Sequence, residues 1–398
     1  MSTTAASNKP SFDLFKKKNK FYNEEHEMFR TSLQKFLAKE AVPFFDQWEE
    51  EGIIPREFYN KLGSQGFLCP QVDTKYGGLG LDFAFNFVLM EELLRVGGGL
   101  GGAALHNGIV VPYLEHFGSE ELKQKYLPKC VSGEIITAVA MTEPGSGSDL
   151  ASMSTRAVKD GDHYVINGAK TFITNGFNAD LIFLAVKTNP AAVPAHKGVS
   201  IILIDTTTPG FSRGRKLKKM GRHSQDTAEL TFEDVRVPVT NLLGEEGKGF
   251  YYLMNKLRQE RLMVAASAIV VAEEMLKQTI DYVKERKAFG KPISSFQNTQ
   301  FEIAEMATEI SFARTFVEDL SIRHFNDESV DTEVAMAKWW ITEMTRRMSA
   351  RCLQLHGGYG YMEEYDIARR YRDAAVMPIV AGSNEIMKNI IAKNMGIL

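Results

Sequence analysis

The spacing of apolar positions changes twice along the chain. Over residues 23–133, Leu, Phe and Met recur three and four positions apart, most regularly in 24–50, 55–66 and 83–95, as helices with one buried face require. Ser119 ahead of Glu120-Glu121-Leu122 has the form of an N-cap and predicts a further helix. Pro55 suits a helix start, and Gly52, Gly66 and Gly118 suit helix ends. Over 135–244 the period shortens. Residues 135–140, 181–186 and 199–204 are β-rich runs, set apart by turn pairs such as Asp160-Gly161 and Pro209-Gly210. Strands at this spacing with no helices between them predict a small antiparallel β-barrel or sandwich. From Gly247 the pattern is helical again in long pieces, 251–285, 296–324 and 330–355, which predict a helical bundle. The expected fold class is α+β and multidomain. Its parts are a flexible tail at 1–22, an N-terminal helical domain at 23–134, a middle β domain at 135–244 and a C-terminal four-helix bundle at 245–398.

Charge and cysteine content narrow the function. The 398 residues carry 47 Lys+Arg against 50 Asp+Glu, a net charge of −3, so the clustered positive charge that nucleic-acid binding needs is missing. Cys69, Cys130 and Cys352 are scattered and form no CxxC pair, which suggests neither a metal site nor a disulfide framework. No uncharged apolar run is long enough for a membrane span. The first twenty residues are polar and lysine-rich, with no Arg before Arg30, unlike a secretion signal or a mitochondrial presequence. A cytoplasmic address is expected. The mitochondrial matrix would fit if the source were a eukaryote and a presequence had been removed.

Several segments are dense in groups that bind ligands. Gly97, Gly99 and Gly102 spell GxGxxG, but a helical segment precedes them where a dinucleotide fold needs a strand, so they are expected to mark a helix break. Residues 140–149 leave a strand for a loop of small hydroxyl residues and free N–H groups, suited to phosphate or a polar ring edge. Lys170-Thr171-Phe172-Ile173-Thr174-Asn175-Gly176 ends another β run, and 354–361 joins His356 to three glycines. Each has a plain structural alternative as a turn, a helix break or a capping histidine.

Together these residues resemble the acyl-CoA dehydrogenase family. Its first signature, a Thr-Glu pair followed by Gly-Ser-Asp, matches 140–152 at every defined position. Its second matches from Gln354 through Gly357, Gly358, Gly360, Tyr361, Glu364 and Arg369 to Asp373. Between them, 285–291 is similar to the family's segment that reaches FAD across a subunit interface. The resemblance covers nearly the whole chain from Asn23. It implies a flavoprotein that oxidises the α,β bond of a fatty acyl-CoA and is homotetrameric. It also implies that electrons pass to an electron-transfer flavoprotein. By position, Val139, Met141, Thr142 and Ser148 would line the flavin, and Phe172, Ile173 and Thr174 would cover its rings, with the Thr174 hydroxyl facing N5. Position 172 is often Trp in the family. Arg286, Phe289 and Gln297, with Gln354, Leu355, His356, Gly357 and Gly358, would hold the pyrophosphate and adenosine of a neighbouring subunit's FAD. Ser383, Asn384 and Glu385 would contact FAD again.

Many relatives carry the catalytic Glu at the position occupied here by Ala381. The chemistry still needs a carboxylate to take the weakly acidic α-proton. Two subgroups, the long-chain and isovaleryl-CoA dehydrogenases, supply it from a helix, at the position of Glu260. The plain alternative for Glu260 is a solvated helix residue paired with Lys256, four positions earlier. The Ala381 N–H would bond the thioester carbonyl as an oxyanion-type donor. Substrate contacts are expected from Ser148, Tyr251, Arg261 and Gly382, with Gly101 and Gly102 at the bottom of the acyl pocket. Long or branched acyl chains are favoured. Two alternatives remain: an acyl-CoA oxidase using O2, disfavoured because such oxidases usually carry extra C-terminal helices, and a flavin-binding member without catalysis.

Overall fold

A computed structural model describes residues 19–397, so the tail expected at 1–22 lies outside the described residues apart from its last four. α1 (Glu24–Glu40) opens on a capping box in which the His26 N–H donates to Asn23 Oδ1 and the Asn23 N–H to His26 Nδ1, both at 3.0 Å. The helix expected over 24–50 is in fact two. Pro43 has no N–H for the ladder and disfavours helical backbone before it, so a 3-10 turn at Val42–Phe44 separates α1 from α2 (Phe45–Glu51). α3 (Arg56–Ser64), α4 (Ala84–Val96), α5 (Gly101–Leu105) and α6 (Val111–Phe117) follow. Ser119 does cap α7 (Glu120–Ser132), accepting from the Leu122 N–H at 3.3 Å.

The middle segment forms one curled sheet of seven strands, in the order β1-β4-β2-β3-β7-β6 with β5 added on β4. These are β1 (Thr137–Ala140), β2 (Arg156–Asp160), β3 (His163–Thr174), β4 (Leu181–Lys187), β5 (Val199–Asp205), β6 (Phe211–Lys216) and β7 (Thr227–Pro238). Pairing is largely antiparallel, as expected, but β1 runs parallel to β4, with Thr137 opposite Leu181. β4 and β5 are buried on both faces, which accounts for their unbroken apolar runs. β3 carries bulges against β7, one between Lys170 and Ile173, where Phe172 takes the left-handed conformation (φ 60°).

The C-terminal segment is built on α8 (Gly249–Glu285), 37 residues and about 55 Å long. The short hairpin β8 (Lys287–Ala288) and β9 (Lys291–Pro292) follows it. Then come α9 (Gln297–Phe325), α10 (Asp331–His356), α11 (Asp366–Ala374) and α12 (Asn384–Asn394). One core cluster runs through both helical segments and a second fills the sheet. Charges also cross between helices. Arg314 bonds Glu273 (2.7 Å) and Glu91 (3.1 Å), and Arg30 bonds Glu92 (2.6 Å), tying α1, α4, α8 and α9 together. Burial alone would raise the Glu91 carboxyl, but Arg314, Arg30 and Arg95 hold it at about 2.

The glycine run 97–102 spans the break after α4 and the first turn of α5, where the three segments meet. A Cβ on Gly97 would strike the Phe45 ring, one on Gly101 would lie 2.8 Å from Gln225 Oε1, and one on Gly102 would strike Asn175. No strand precedes the run. Its bare backbone lets α2 and the loops of the sheet approach closely, with Gln225 beside Gly101 and Asn175 and Tyr59 beside Gly102.

Candidate active site

α8, α10 and the turn before α12 converge on Glu260. This residue is half-buried, and its Oε2 is sealed from solvent with no hydrogen-bond partner. Burial pushes its carboxyl up to about 7, although Arg261 and Lys338 pull the other way. The solvated pair with Lys256 does not form, because Lys256 Nζ instead lies 3.1 Å from His116 Nδ1. The neighbouring helix explains how α8 is seated. Pro112 has no N–H to offer the Gly108 carbonyl, and the Gln259 side-chain amide donates to that carbonyl at 3.1 Å. The same helix brings Tyr113 beside Glu260, with a buried hydroxyl that has no partner. Burial first, and the Glu260 charge second, raise that hydroxyl's pKa.

Ala381 (φ 56°) and Gly382 (φ 86°) are both left-handed, and this unusual pair turns the chain back toward α8. Arg261 Nε donates to the Ala381 carbonyl at 3.4 Å, which places the turn one residue from Glu260. Beneath it, Lys338 Nζ donates to Gly382 O (2.7 Å), Asn384 Oδ1 (3.1 Å) and Pro378 O (3.2 Å). The Asn384 amide is buried and bonded to Trp339 O and Thr342 Oγ1, so this side chain holds α12 to α10 and is not free for a cofactor. Ser383 is half-buried, and Glu385 and Tyr251 are exposed.

A second group of residues lies on the sheet. Glu143 accepts from the Ser154 N–H (2.6 Å), Ser154 Oγ (2.7 Å), the Thr155 N–H (2.9 Å) and Lys170 Nζ (2.9 Å). Burial opposes its charge, but Lys170 and these hydrogen bonds hold the carboxyl at about 2. Lys170 also donates to Met141 O (2.9 Å), so the ion pair pins both ends of the loop between β1 and β2. Val139, Met141 and Thr142 are half-buried at the end of β1, and Ser148 is exposed on the loop. Phe172 presents its ring with 68% of its surface free, Ile173 is buried beneath it, and Thr174 Oγ1 accepts from Gln225 Nε2 at 3.0 Å. An outward aromatic face beside open, hydroxyl-bearing loop backbone suits a flat, polar-edged ring.

The third group lies at the far end of α8. Arg286 is about 39 Å from Glu260 along the helix at 1.5 Å per residue. Arg286, Gln354, Leu355, His356, Gly357 and Gly358 line a cavity of about 490 Å3. His356 stacks on Tyr282 at 4.3 Å and its Nδ1 lies 2.9 Å from Cys352 O, so its ring buttresses the cavity wall. Phe289, left-handed at the tip of the β8–β9 hairpin, is 95% exposed, and Gln297 is exposed at the start of α9. One chain therefore does not bring Arg286 and Glu260 together.

Lys170, Lys338, Gln225 and Tyr113 are the polar residues the sequence reading missed. Two had a visible signal: Lys170 interrupts a β run, and Lys338 stands in Ala-Met-Ala-Lys-Trp-Trp. Lysines in apolar company are paired or bonded when buried.

Comparison with known proteins matches residues 23–396. Three family models match in order: acyl-CoA dehydrogenase N-terminal domain at residues 23–134, middle domain at 138–235 and C-terminal domain at 247–396. The rat mitochondrial long-chain specific acyl-CoA dehydrogenase is 44% identical over 377 residues, 94% of this chain and 87% of that one. The crystal structure of an acyl-CoA dehydrogenase from Geobacillus kaustophilus is 60% identical, with a TM-score of 0.94, covering 95% of this chain and all of that one. A glutaryl-CoA dehydrogenase from Mycobacterium smegmatis, solved with FADH2, is 25% identical with a TM-score of 0.87, covering 94% and 95% of the two chains. By sequence, by domain order and by fold, this chain belongs to the acyl-CoA dehydrogenases, a family of flavoproteins.

Proposed function

We propose that the chain dehydrogenates a long- or branched-chain acyl-CoA to the trans-2-enoyl-CoA, with Glu260 as the base. The observation that carries this is the sealed, unpartnered Glu260 Oε2, its carboxyl at about 7, set one residue from Arg261 and its bond to the Ala381 turn. A base whose pKa lies near the working pH is ionised often enough to act and basic enough to hold the proton. Glu260 takes the α-proton. As it leaves, negative charge grows on the thioester oxygen, where the Ala381 N–H stands as donor. Burial then favours the neutral, protonated Glu260, so the site's low polarity assists the transfer.

The residues present fit FAD. The exposed Phe172 ring, Thr174 and the loop at Ser148 would hold the ring system, and Gly357 and Gly358 leave open space where an added Cβ meets nothing within 4 Å. FAD, when bound, supplies the acceptor for the hydrogen and electron pair leaving Cβ. Arg286, Phe289, Gln297 and 354–358 would serve the FAD of a second subunit, which their distance from Glu260 supports, and a homotetramer is the proposed assembly. An electron-transfer flavoprotein is the proposed acceptor and the cytoplasm the proposed location. The homology to long-chain dehydrogenases supports the chain-length reading.

Anaerobic mixing of the flavin-loaded protein with acyl-CoAs of graded length and branching tests this. Rapid bleaching by wild type but not by Glu260→Gln is expected. Equal bleaching in both would remove Glu260 as base, and no bleaching of wild type by any acyl-CoA would remove the activity.

A further inference from the structure

Lys338 occupies an unusual place. Its side chain has no solvent exposure, yet all three acceptors around Nζ are neutral: the carbonyls of Pro378 and Gly382 and the amide oxygen of Asn384. No carboxylate lies within ion-pair distance of Nζ among the described residues. A buried ammonium is costly to keep, and the usual means of keeping one is an anion partner. Here the bonds go instead to both ends of the turn that carries Ala381. Arg261, one residue from Glu260, bonds the same turn from the opposite side through the Ala381 carbonyl.

We propose that Lys338 is a positioning residue for the oxidation: it fixes the Ala381–Gly382 turn and supplies a positive charge, bonded by no carboxylate, at the turn that carries the Ala381 N–H donor. It acts through the turn and does not touch the substrate. The proposal rests on the assignment of Glu260 as base and deepens it. When Glu260 takes the α-proton, a carboxylate charge disappears from the site and an enolate charge appears beside the turn. Lys338 also steadies the Glu260 carboxylate, but as the smallest of the effects on it, after burial and Arg261. Its bonds go to the turn, so this fixed cation favours the enolate charge beside the turn, as preorganised dipoles and charges do where solvent cannot reorganise. Two left-handed residues in succession are also easily lost from a turn, and the bonds to Gly382 O and Pro378 O bracket them.

The charged groups around Lys338 agree with this. Burial lowers its pKa most, to about 8, and Arg261 adds to that, while Glu385, Glu260 and Glu343 oppose it. The ammonium is therefore charged at neutral pH despite the surroundings. Three carboxylates act on it from α12, α8 and α10, but none bonds it.

A 3-thia-acyl-CoA provides the test. Its β-sulfur acidifies the α-proton and cannot give up hydride, so the bound enolate accumulates and is read by its long-wavelength absorption against oxidised flavin. In Lys338→Gln, with flavin content and melting temperature recorded alongside, the apparent pKa for ionising the bound analogue is expected to rise by about one unit or more, tenfold in the ionisation equilibrium. A residue that only stabilised the fold would lower the melting temperature and leave that pKa where it is in wild type, and this would overturn the proposal. Asn384→Asp is the second variant, used if Lys338→Gln does not fold, because it keeps an acceptor for Nζ while neutralising the field. A rise is expected there too, and an unchanged value would count against the proposal. Failure of wild type itself to ionise the analogue would instead remove the Glu260 reading on which this one stands.

Discussion

Replacing Glu260 with Gln is expected to stabilise the protein while abolishing its chemistry, and the stabilisation should depend on pH in one direction. The folded carboxyl sits at about 7 against an ordinary value of 4.5. Below pH 4.5 it is protonated in both folded and unfolded states, so it costs the fold nothing. Between the two values the folded chain holds the proton more tightly than the unfolded one, and stability is lost as pH rises, until the full penalty is present above about pH 7. At 1.36 kcal/mol per unit the limit is about 3 kcal/mol, and residual solvent contact reduces it to about 2–3 kcal/mol. Gln is isosteric and uncharged, and it removes that penalty. For a chain of this length unfolding as one unit, about 2.5 kcal/mol raises the melting temperature by about 3 °C. Thermal unfolding of both proteins at pH 5 and pH 8 reads the effect: a small gap at pH 5 and a gap of about 3 °C at pH 8. Equal gaps at the two pH values would show that Glu260 is not held out of water, and the argument for a tuned base would fall with it. The activity side has the same sign. Flavin bleaching by wild type should rise with pH through about 7, since only the ionised carboxylate accepts a proton.

Three further expectations concern other parts of the proposed site. Lys170→Met leaves Glu143 buried without its cation, which should cost about 3–5 kcal/mol and release flavin; calorimetry and the absorbance ratio of flavin to protein check it, and a melting temperature within 1 °C of wild type would refute it. Gly102→Ala drives a methyl into Asn175 at the junction of helices and sheet, a loss of about 1–3 kcal/mol in melting experiments; an unchanged ranking of acyl-CoA chain lengths would take Gly102 out of the acyl pocket, and a selective loss of long substrates would place it there. Phe289→Ala removes a ring that is 95% exposed in the single chain. It should leave circular dichroism unchanged while lowering flavin retained per chain, and undiminished flavin would separate the hairpin from the cofactor.

Legibility in the sequence followed burial. α8, α9 and α10 and the doubly buried strands β4 and β5 announce themselves, because a long apolar period or a continuous apolar run is what burial demands of them. β2 and β6 do not, since one has a single buried residue and the other none, so neither carries an alternating pattern. The parallel pairing of β1 with β4 depends on a chain crossing that no local pattern encodes. Among the polar residues, those that the resemblance assigns to the flavin lie partly in two long signatures, 140–152 and 354–373, which are legible without a fold. Lys170, Lys338 and Gln225 act on backbone and side chains far away in sequence, and their partners appear only when the chain is folded. The glycines at 97–102 announce a helix break and space, but the side chains that approach them come from elsewhere in the sequence.

A base carried on α8 makes different demands from one carried on the turn before α12. In the turn, a glutamate would sit on left-handed backbone, where its direction depends on a conformation that costs energy to hold. On α8 the helix fixes the backbone, Gln259 clamps it to the Gly108 carbonyl, and the side chain at 260 is aimed by regular geometry. On the proposed reading the turn is then left with one task, presenting the Ala381 N–H, which asks nothing of the side chain at 381. That division also keeps two carboxylates from sharing one small site, where their mutual repulsion would push one pKa well above the working range. With Ala at 381 no second carboxylate adds its repulsion to the burial that raises Glu260 to about 7, and the neutral partners of Lys338 hold the turn in place beside it.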